Sequence, residues 1–131
     1  MSEKSQKSPK LNFPKSERLK SKKLIKELFE KGSSFTLYPL KVFYLKGSPD
    51  RTVSAPQVLF VVPKRNFKKA VERNRIKRQI KEAYRLNKLK FISAFSNKTL
   101  PVAVGFMYVA REKMPFQLIE NKLTLSFNRF D

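Results

Sequence analysis

The chain reads as an α+β domain, a small mixed sheet packed with helices in the order α-β-β-(β)-α-β-α, with the bracketed strand left optional. Three observations predict this. Two apolar runs suited to strands, Val58–Val62 and Val102–Tyr108, flank a segment from about Lys69 to Asn87 whose apolar residues recur at helical spacing. Helical spacing also marks both ends of the ordered pattern, in Leu24, Ile25, Leu28 and Phe29 and in Phe116, Ile119, Leu123, Phe127 and Phe130. Finally, 131 residues at 40% apolar content can bury one modest core but not two.

Taken in order, residues 1–15 are rich in Lys, Ser and Pro and lack periodicity, so they read as a disordered basic arm, and residues 16–131 as the single folded domain. Ser21 is placed to cap the first helix, and Gly32 to stop it. Phe35 to Leu45 follows as a strand, with Leu40, Val42 and Tyr44 on one face and Lys41, Phe43 and Leu45 on the other. Gly47-Ser48-Pro49-Asp50 marks a turn, and an exposed loop runs to Pro56. Val58–Val62 is continuously apolar, which predicts a central strand covered on both faces. Pro63 ends it and delivers Lys64 and Arg65 into the connection to the long helix. After Asn87 a second basic connection leads to a buried strand within Pro101–Val109. Pro115 suits the first turn of a last helix, whose apolar stripe is expected to pack on the sheet.

The charge is more informative than the fold. Thirty Lys and Arg against ten Asp and Glu give a net +20, spread along the whole length, as expected for a chain that meets an extended polyanion. The concentration is greatest in the long helix. From Lys64 to Arg85 there are ten basic residues against Glu72 and Glu82 alone. On a helical projection Ile76, Ile80, Ala83 and Tyr84 share one narrow arc, and Arg73, Asn74, Arg75, Lys77, Arg78, Lys81 and Arg85 occupy the remainder. A solvated charged face normally carries Glu at i±4 to offset its Lys and Arg, and this one mostly does not. Lys64, Arg65, Lys69, Arg73, Asn74, Arg75, Lys77, Arg78, Lys81 and Arg85 are therefore the candidate nucleic-acid-binding residues, RNA and DNA both fitting, with Arg suited to gripping phosphate oxygens through its planar fork.

Other chemistries are disfavoured. The chain has no cysteine, hence no disulfide, thiolate metal site or thiol nucleophile, and no histidine, the commonest general acid–base and metal ligand. Its ten acids form no cluster of the kind a two-metal nuclease needs, so no catalytic residue is assigned and no metal or other cofactor is expected on the protein. No apolar run approaches the length of a membrane span, and the first fourteen residues lack a signal-peptide core. The reading is a soluble, cytoplasmic protein without a membrane or small-molecule partner.

The segment Ala70-Val71-Glu72-Arg73-Asn74-Arg75-Ile76-Lys77-Arg78, following a strand that ends in Lys64-Arg65, resembles the signature of the bacterial ribonuclease P protein subunit. The resemblance spans roughly residues 17–130 and includes a first helix closing in Phe29-Glu30-Lys31-Gly32. It implies the ribonuclease P protein / ribosomal protein S5 domain 2-like fold, with the basic helix in an uncommon left-handed crossover between parallel strands. It also implies a protein partner of a catalytic RNA that removes the 5′ leader of precursor tRNA. In that family the RNA holds the catalytic Mg²⁺. Carried over by position, Arg73, Asn74, Arg75, Lys77, Arg78, Lys64 and Arg65 would face the catalytic RNA, and Ile25, Phe29 and Phe43 would line a cleft for the leader. Three positions depart from the family's habit: Pro63 where a small hydroxyl residue is usual, Lys81 where Arg is common, and Ile25 where an aromatic is often found.

Two other readings are compatible with parts of the sequence. A structural RNA-binding protein of the ribosomal type would share the charge, the size and the basic arm. A helix-turn-helix DNA binder would need a short turn and a partner helix just before Lys69, where the chain has a strand and Pro63.

Overall fold

A computed structural model of the chain describes residues 13–96 and 98–130. A short 3-10 turn, Lys15–Glu17, precedes α1 (Lys22–Lys31), β1 (Ser33–Leu37), β2 (Leu40–Leu45), β3 (Gln57–Val61), α2 (Ala70–Ser93), β4 (Ala103–Tyr108) and α3 (Phe116–Ser126). The four strands form one sheet in the order β1-β2-β4-β3. β1, β2 and β4 pair antiparallel, and β3 pairs parallel with β4 across the α2 connection.

Alternation along the strands builds two separate cores. Leu40, Val42 and Tyr44 of β2, Val104, Phe106 and Tyr108 of β4, and Val58 and Phe60 of β3 point to the face shared by α2 and α3. Leu45 and Ala103 point the other way and meet Leu19 and Leu28 beneath α1. The domain is thus three-layered, α1 on one face and α2 with α3 on the other, and the second face carries most of the buried aromatic rings. Phe130 is their meeting point, with ring centroids 5.4 Å from Phe35, 4.8 Å from Tyr44, 5.3 Å from Phe91 and 5.7 Å from Phe95.

The first helix forms as its ends predict. The Ser21 hydroxyl accepts the Leu24 N–H, and Gly32 closes the helix by donating to the Leu28 carbonyl. The reason for glycine is space, since Gly32 is extended at φ −75°: a Cβ there would collide with the Leu28 carbonyl oxygen and stand 2.8 Å from that of Tyr44.

Several expectations are corrected. The stretch Phe35–Leu45 is not one strand but a hairpin, turned at Tyr38-Pro39, whose first arm supplies the optional strand of the predicted order. Val58–Val62 is not central: β3 is an edge strand, and the central pair is β2 and β4. Its apolarity has another cause. The segment before α1 covers its outer side, with Leu19 N–H donating to the Val58 carbonyl at 2.9 Å and Phe13 packing on Phe60.

That same contact moves the start of the domain. Phe13 is buried against Phe60 and Tyr84, so the folded body reaches at least three residues further back than the expected boundary at residue 16. The rest of the arm, residues 1–12, lies outside the described residues. The long helix likewise continues past Asn87 to Ser93, because Lys88 is buried there in an ion pair with Glu17 (2.6 Å) and Phe91 joins the core. The stripe of α3 packs chiefly on α2, through contacts such as Phe127 on Phe91 and Asn87 to Glu120, and only secondarily on the sheet.

Candidate nucleic-acid interface

α2 is held to the sheet by Ile76, Ile80, Ala83, Tyr84 and Phe91, all essentially inaccessible to solvent, and this fixes which way its cations face. Lys64, Arg65, Lys69, Asn74, Arg75 and Arg78 are exposed, and Lys77 and Lys81 half-buried along the flank toward β3. The two acids of the region are both engaged, Glu82 by a two-pronged contact with Arg85 (2.9 and 2.7 Å) and Glu72 by Lys113 (3.4 Å). The Arg85 guanidinium holds the Glu82 carboxyl below its ordinary range. No carboxylate of the helix is left over for Arg75, Lys77, Arg78 or Lys81, and a cationic surface in that state is stabilised by an external polyanion.

Two of the ten candidates have tasks inside the protein. Arg73 donates from one guanidinium nitrogen to the Phe67 and Lys68 carbonyls, both at 2.8 Å, and so clamps the loop that carries Lys64 and Arg65. The sequence held the signal for this: Arg73 precedes Ile76, Ile80 and Tyr84 at spacings of 3, 7 and 11, on the buried stripe itself. Arg85 is committed to Glu82. The remaining eight extend outward from the loop and the α2 flank.

Beside that flank lies a groove of about 440 Å³ between α2, the outer edge of β3 and residues 13–20. Asn74, Lys77, Arg78 and Lys81 form one wall, Arg18 and Lys20 the other, and Leu59 and Phe60 part of the floor. Arg18 and Lys20 are additions that the sequence pattern did not single out. They lie outside the helical charge run, and only the pairing of residues 18–19 with β3 brings them to it.

On the opposite face of the sheet Ile25, Phe29 and Phe43 come together. Phe29 and Phe43 meet edge to face with ring centroids 4.8 Å apart, and Ile25 packs in the same cluster. Phe29 remains 37% exposed, so its ring is available to a ligand. Two further residues belong here. The Lys41 ammonium sits 5.2 Å above the Phe43 ring, a cation beside an aromatic surface, and it lies two positions from Phe43 on the same strand face. Gly105 lies directly beneath: a Cβ there would stand 3.3 Å from Leu28, 3.7 Å from Phe29 and 3.9 Å from Phe43, so glycine lets α1 approach the sheet and seats the two rings.

Among the described residues no three acidic, histidine or cysteine side chains gather where a metal ion could be held, and no helix is long and apolar enough to cross a membrane.

Comparison with known proteins gives a consistent result. The family model for Ribonuclease P matches residues 13–131, its start coinciding with buried Phe13. The Ribonuclease P protein component of Porphyromonas gingivalis strain W83 is 37% identical over 121 residues, covering 92% of this chain and 88% of the relative. That of Chlorobium phaeobacteroides is 34% identical over 119 residues, 84% of this chain and 82% of the relative. Among solved structures, the RNase P protein from Thermotoga maritima superposes with a TM-score of 0.69 at 21% identity, covering 88% of this chain and 98% of that one. The protein from Staphylococcus aureus does so with a TM-score of 0.63 at 22% identity, covering 83% and 90%. The fold is shared with both.

Proposed function

The chain belongs to the bacterial ribonuclease P protein family, as a subunit of the endoribonuclease that works with an RNA partner, and from that premise we propose a division of labour between its two faces. The outward flank of α2, with Lys64 and Arg65 in the preceding loop, binds the catalytic RNA. The cleft between α1 and the sheet, built from Ile25, Phe29 and Phe43 with Lys41, holds the 5′ leader of precursor tRNA as a single strand. The observation that carries the first assignment is the set of α2 cations left without carboxylate partners among the described residues when Glu72 and Glu82 are both engaged. The second rests on the half-exposed Phe29 ring against Phe43, since an aromatic surface with a neighbouring cation is what a single strand offers its bases and phosphates to.

The chemistry on this reading belongs to the RNA, which holds the Mg²⁺ ions. The protein lowers the repulsion between two polyanions, the catalytic RNA and its substrate, and positions the leader. Replacing Phe29 or Phe43 with Ala in a chain that still folds should weaken holoenzyme affinity for precursor tRNA carrying a leader of several nucleotides by about 1–3 kcal/mol. Affinity for mature tRNA should be unchanged. Equal losses for precursor and mature tRNA would show that the rings support the core rather than the leader.

A further inference from the structure

The groove beside α2 differs in kind from the rest of the basic surface. A duplex backbone presents phosphates and needs only exposed cations. This groove adds an apolar floor that includes Leu59 and Phe60, with Val58 and Phe13 also in its lining, to walls bearing Arg18, Lys20, Lys77, Arg78 and Lys81, and among the described residues no acid lines it. Its volume of about 440 Å³ lies in the range of small-molecule sites. Asn74 adds an amide that both donates and accepts, the pattern needed to read a base edge. Arg18 has its Nε buried without a hydrogen-bond partner among the described residues, while its terminal nitrogen donates to the Phe13 carbonyl at 3.2 Å. A buried donor left without a partner is costly, and a ligand that draws the guanidinium forward would relieve it.

We propose that this groove receives a single unpaired nucleotide of the catalytic RNA, its base against Leu59 and Phe60 and its phosphate between Lys20 and the α2 cations. The proposal rests on the reading that the α2 flank faces the catalytic RNA. The charge argues for this occupant: five cations with no anion among the described residues call for a polyanion, and the apolar floor calls for a base turned out of a helix. Four of the lining residues, Asn74, Lys77, Arg78 and Lys81, belong to the α2 flank, which favours the catalytic RNA over the leader as its source.

The chain has no cysteine, so Lys20→Cys creates a single attachment point at the groove rim for a short azidophenyl photocrosslinker. The full-length labelled chain is assembled with the catalytic RNA in the absence of tRNA, irradiated, and the adducts are mapped on both RNA and protein. The expected adduct is at a nucleotide that structure probing of the free RNA shows to be unpaired. Adding Phe60→Leu, which removes the ring but no charge, should lower the yield of that adduct at least fivefold and leave the salt dependence of RNA binding unchanged. Adducts only on paired RNA, only on the leader once precursor tRNA is added, on residues 1–12 of the chain itself, or nowhere in an assembled complex would each overturn the proposal. Failure of the unmodified chain to bind the catalytic RNA would instead overturn the underlying reading. If Phe60→Leu unfolds, Asn74→Ala in the otherwise unmodified chain supplies the second arm: it removes the amide that meets the base edge and should lower the protection of that nucleotide from chemical modification at least fivefold, and retained protection refutes the assignment.

Discussion

Arg73 and Arg75 stand two residues apart on α2, and their replacement by Ala should have opposite consequences. Arg75 is exposed and lies away from the buried stripe, so its loss should change stability by no more than about 0.5 kcal/mol. If it neutralises one phosphate, the slope of log K against log salt for catalytic-RNA binding should fall by about 0.7–1. Arg73 is half-buried, with the Phe67 and Lys68 carbonyls both 2.8 Å from its guanidinium. The bond to the exposed Lys68 carbonyl adds little, because water replaces it. The part-buried bond to Phe67 is of the charge-assisted kind, worth about 1.5–3 kcal/mol. At about 4 °C per kcal/mol for a domain of this size, Arg73→Ala should lower Tm by about 6–12 °C. Its direct effect on the salt slope should be less than half that of Arg75→Ala. Thermal denaturation of the free proteins and RNA binding over a series of salt concentrations measure both quantities. A destabilised Arg75→Ala with an unchanged slope, or an Arg73→Ala that melts normally and loses as much slope as Arg75→Ala, would refute the assignment of faces.

Tyr84→Phe should stabilise the fold by about 1 kcal/mol in denaturant titration, because the Tyr84 hydroxyl is buried without a partner among the described residues and its removal ends a desolvation cost. Lys88→Met should destabilise by about 3 kcal/mol, by stranding the Glu17 carboxylate of a largely buried pair, and adding Glu17→Gln should recover most of the loss in a double-mutant cycle. Burial pushes the Tyr108 hydroxyl up to about 12 from the usual 10, so its contribution is complete below pH 10 and is lost as pH rises toward 12. Stability measured over that interval should fall, and less steeply in Tyr108→Phe, although that variant also loses the 2.7 Å bond to the Glu112 carbonyl.

Much of this was legible in the sequence, and the rest was hidden for identifiable reasons. Ile76, Ile80, Ala83 and Tyr84 form the buried face of α2 as their spacing requires, and the alternation of Leu40, Val42 and Tyr44 assigns β2 its core side. These are local periodicities, and local periodicity survives folding. The position of β3 was misread because its continuous apolar run signals cover without saying what supplies it. Cover came from Phe13 and Leu19, more than thirty residues away, which no window could connect to Val58. Lys88 read as part of a basic connection for the same reason, since its partner Glu17 lies on a different element. The candidate interface shows the same split. The cationic flank of α2 follows from composition and helical geometry alone. The meeting of Phe29 with Phe43, and of Arg18 and Lys20 with Lys77 and Lys81, depends on sheet order and on the pairing of residues 18–19 with β3.

The central claim is that the chain assists an RNA catalyst by supplying positive charge and substrate contacts. The most direct test measures 5′-leader removal from precursor tRNA by a bacterial catalytic RNA across a Mg²⁺ titration, with and without the protein and with the protein alone. The account predicts a large acceleration where Mg²⁺ is scarce, shrinking as Mg²⁺ rises, because protein cations and metal ions relieve the same repulsion. It predicts no cleavage by the protein alone. Binding to the catalytic RNA without any acceleration at low Mg²⁺, or metal-dependent cleavage by rigorously RNA-free protein, would contradict it.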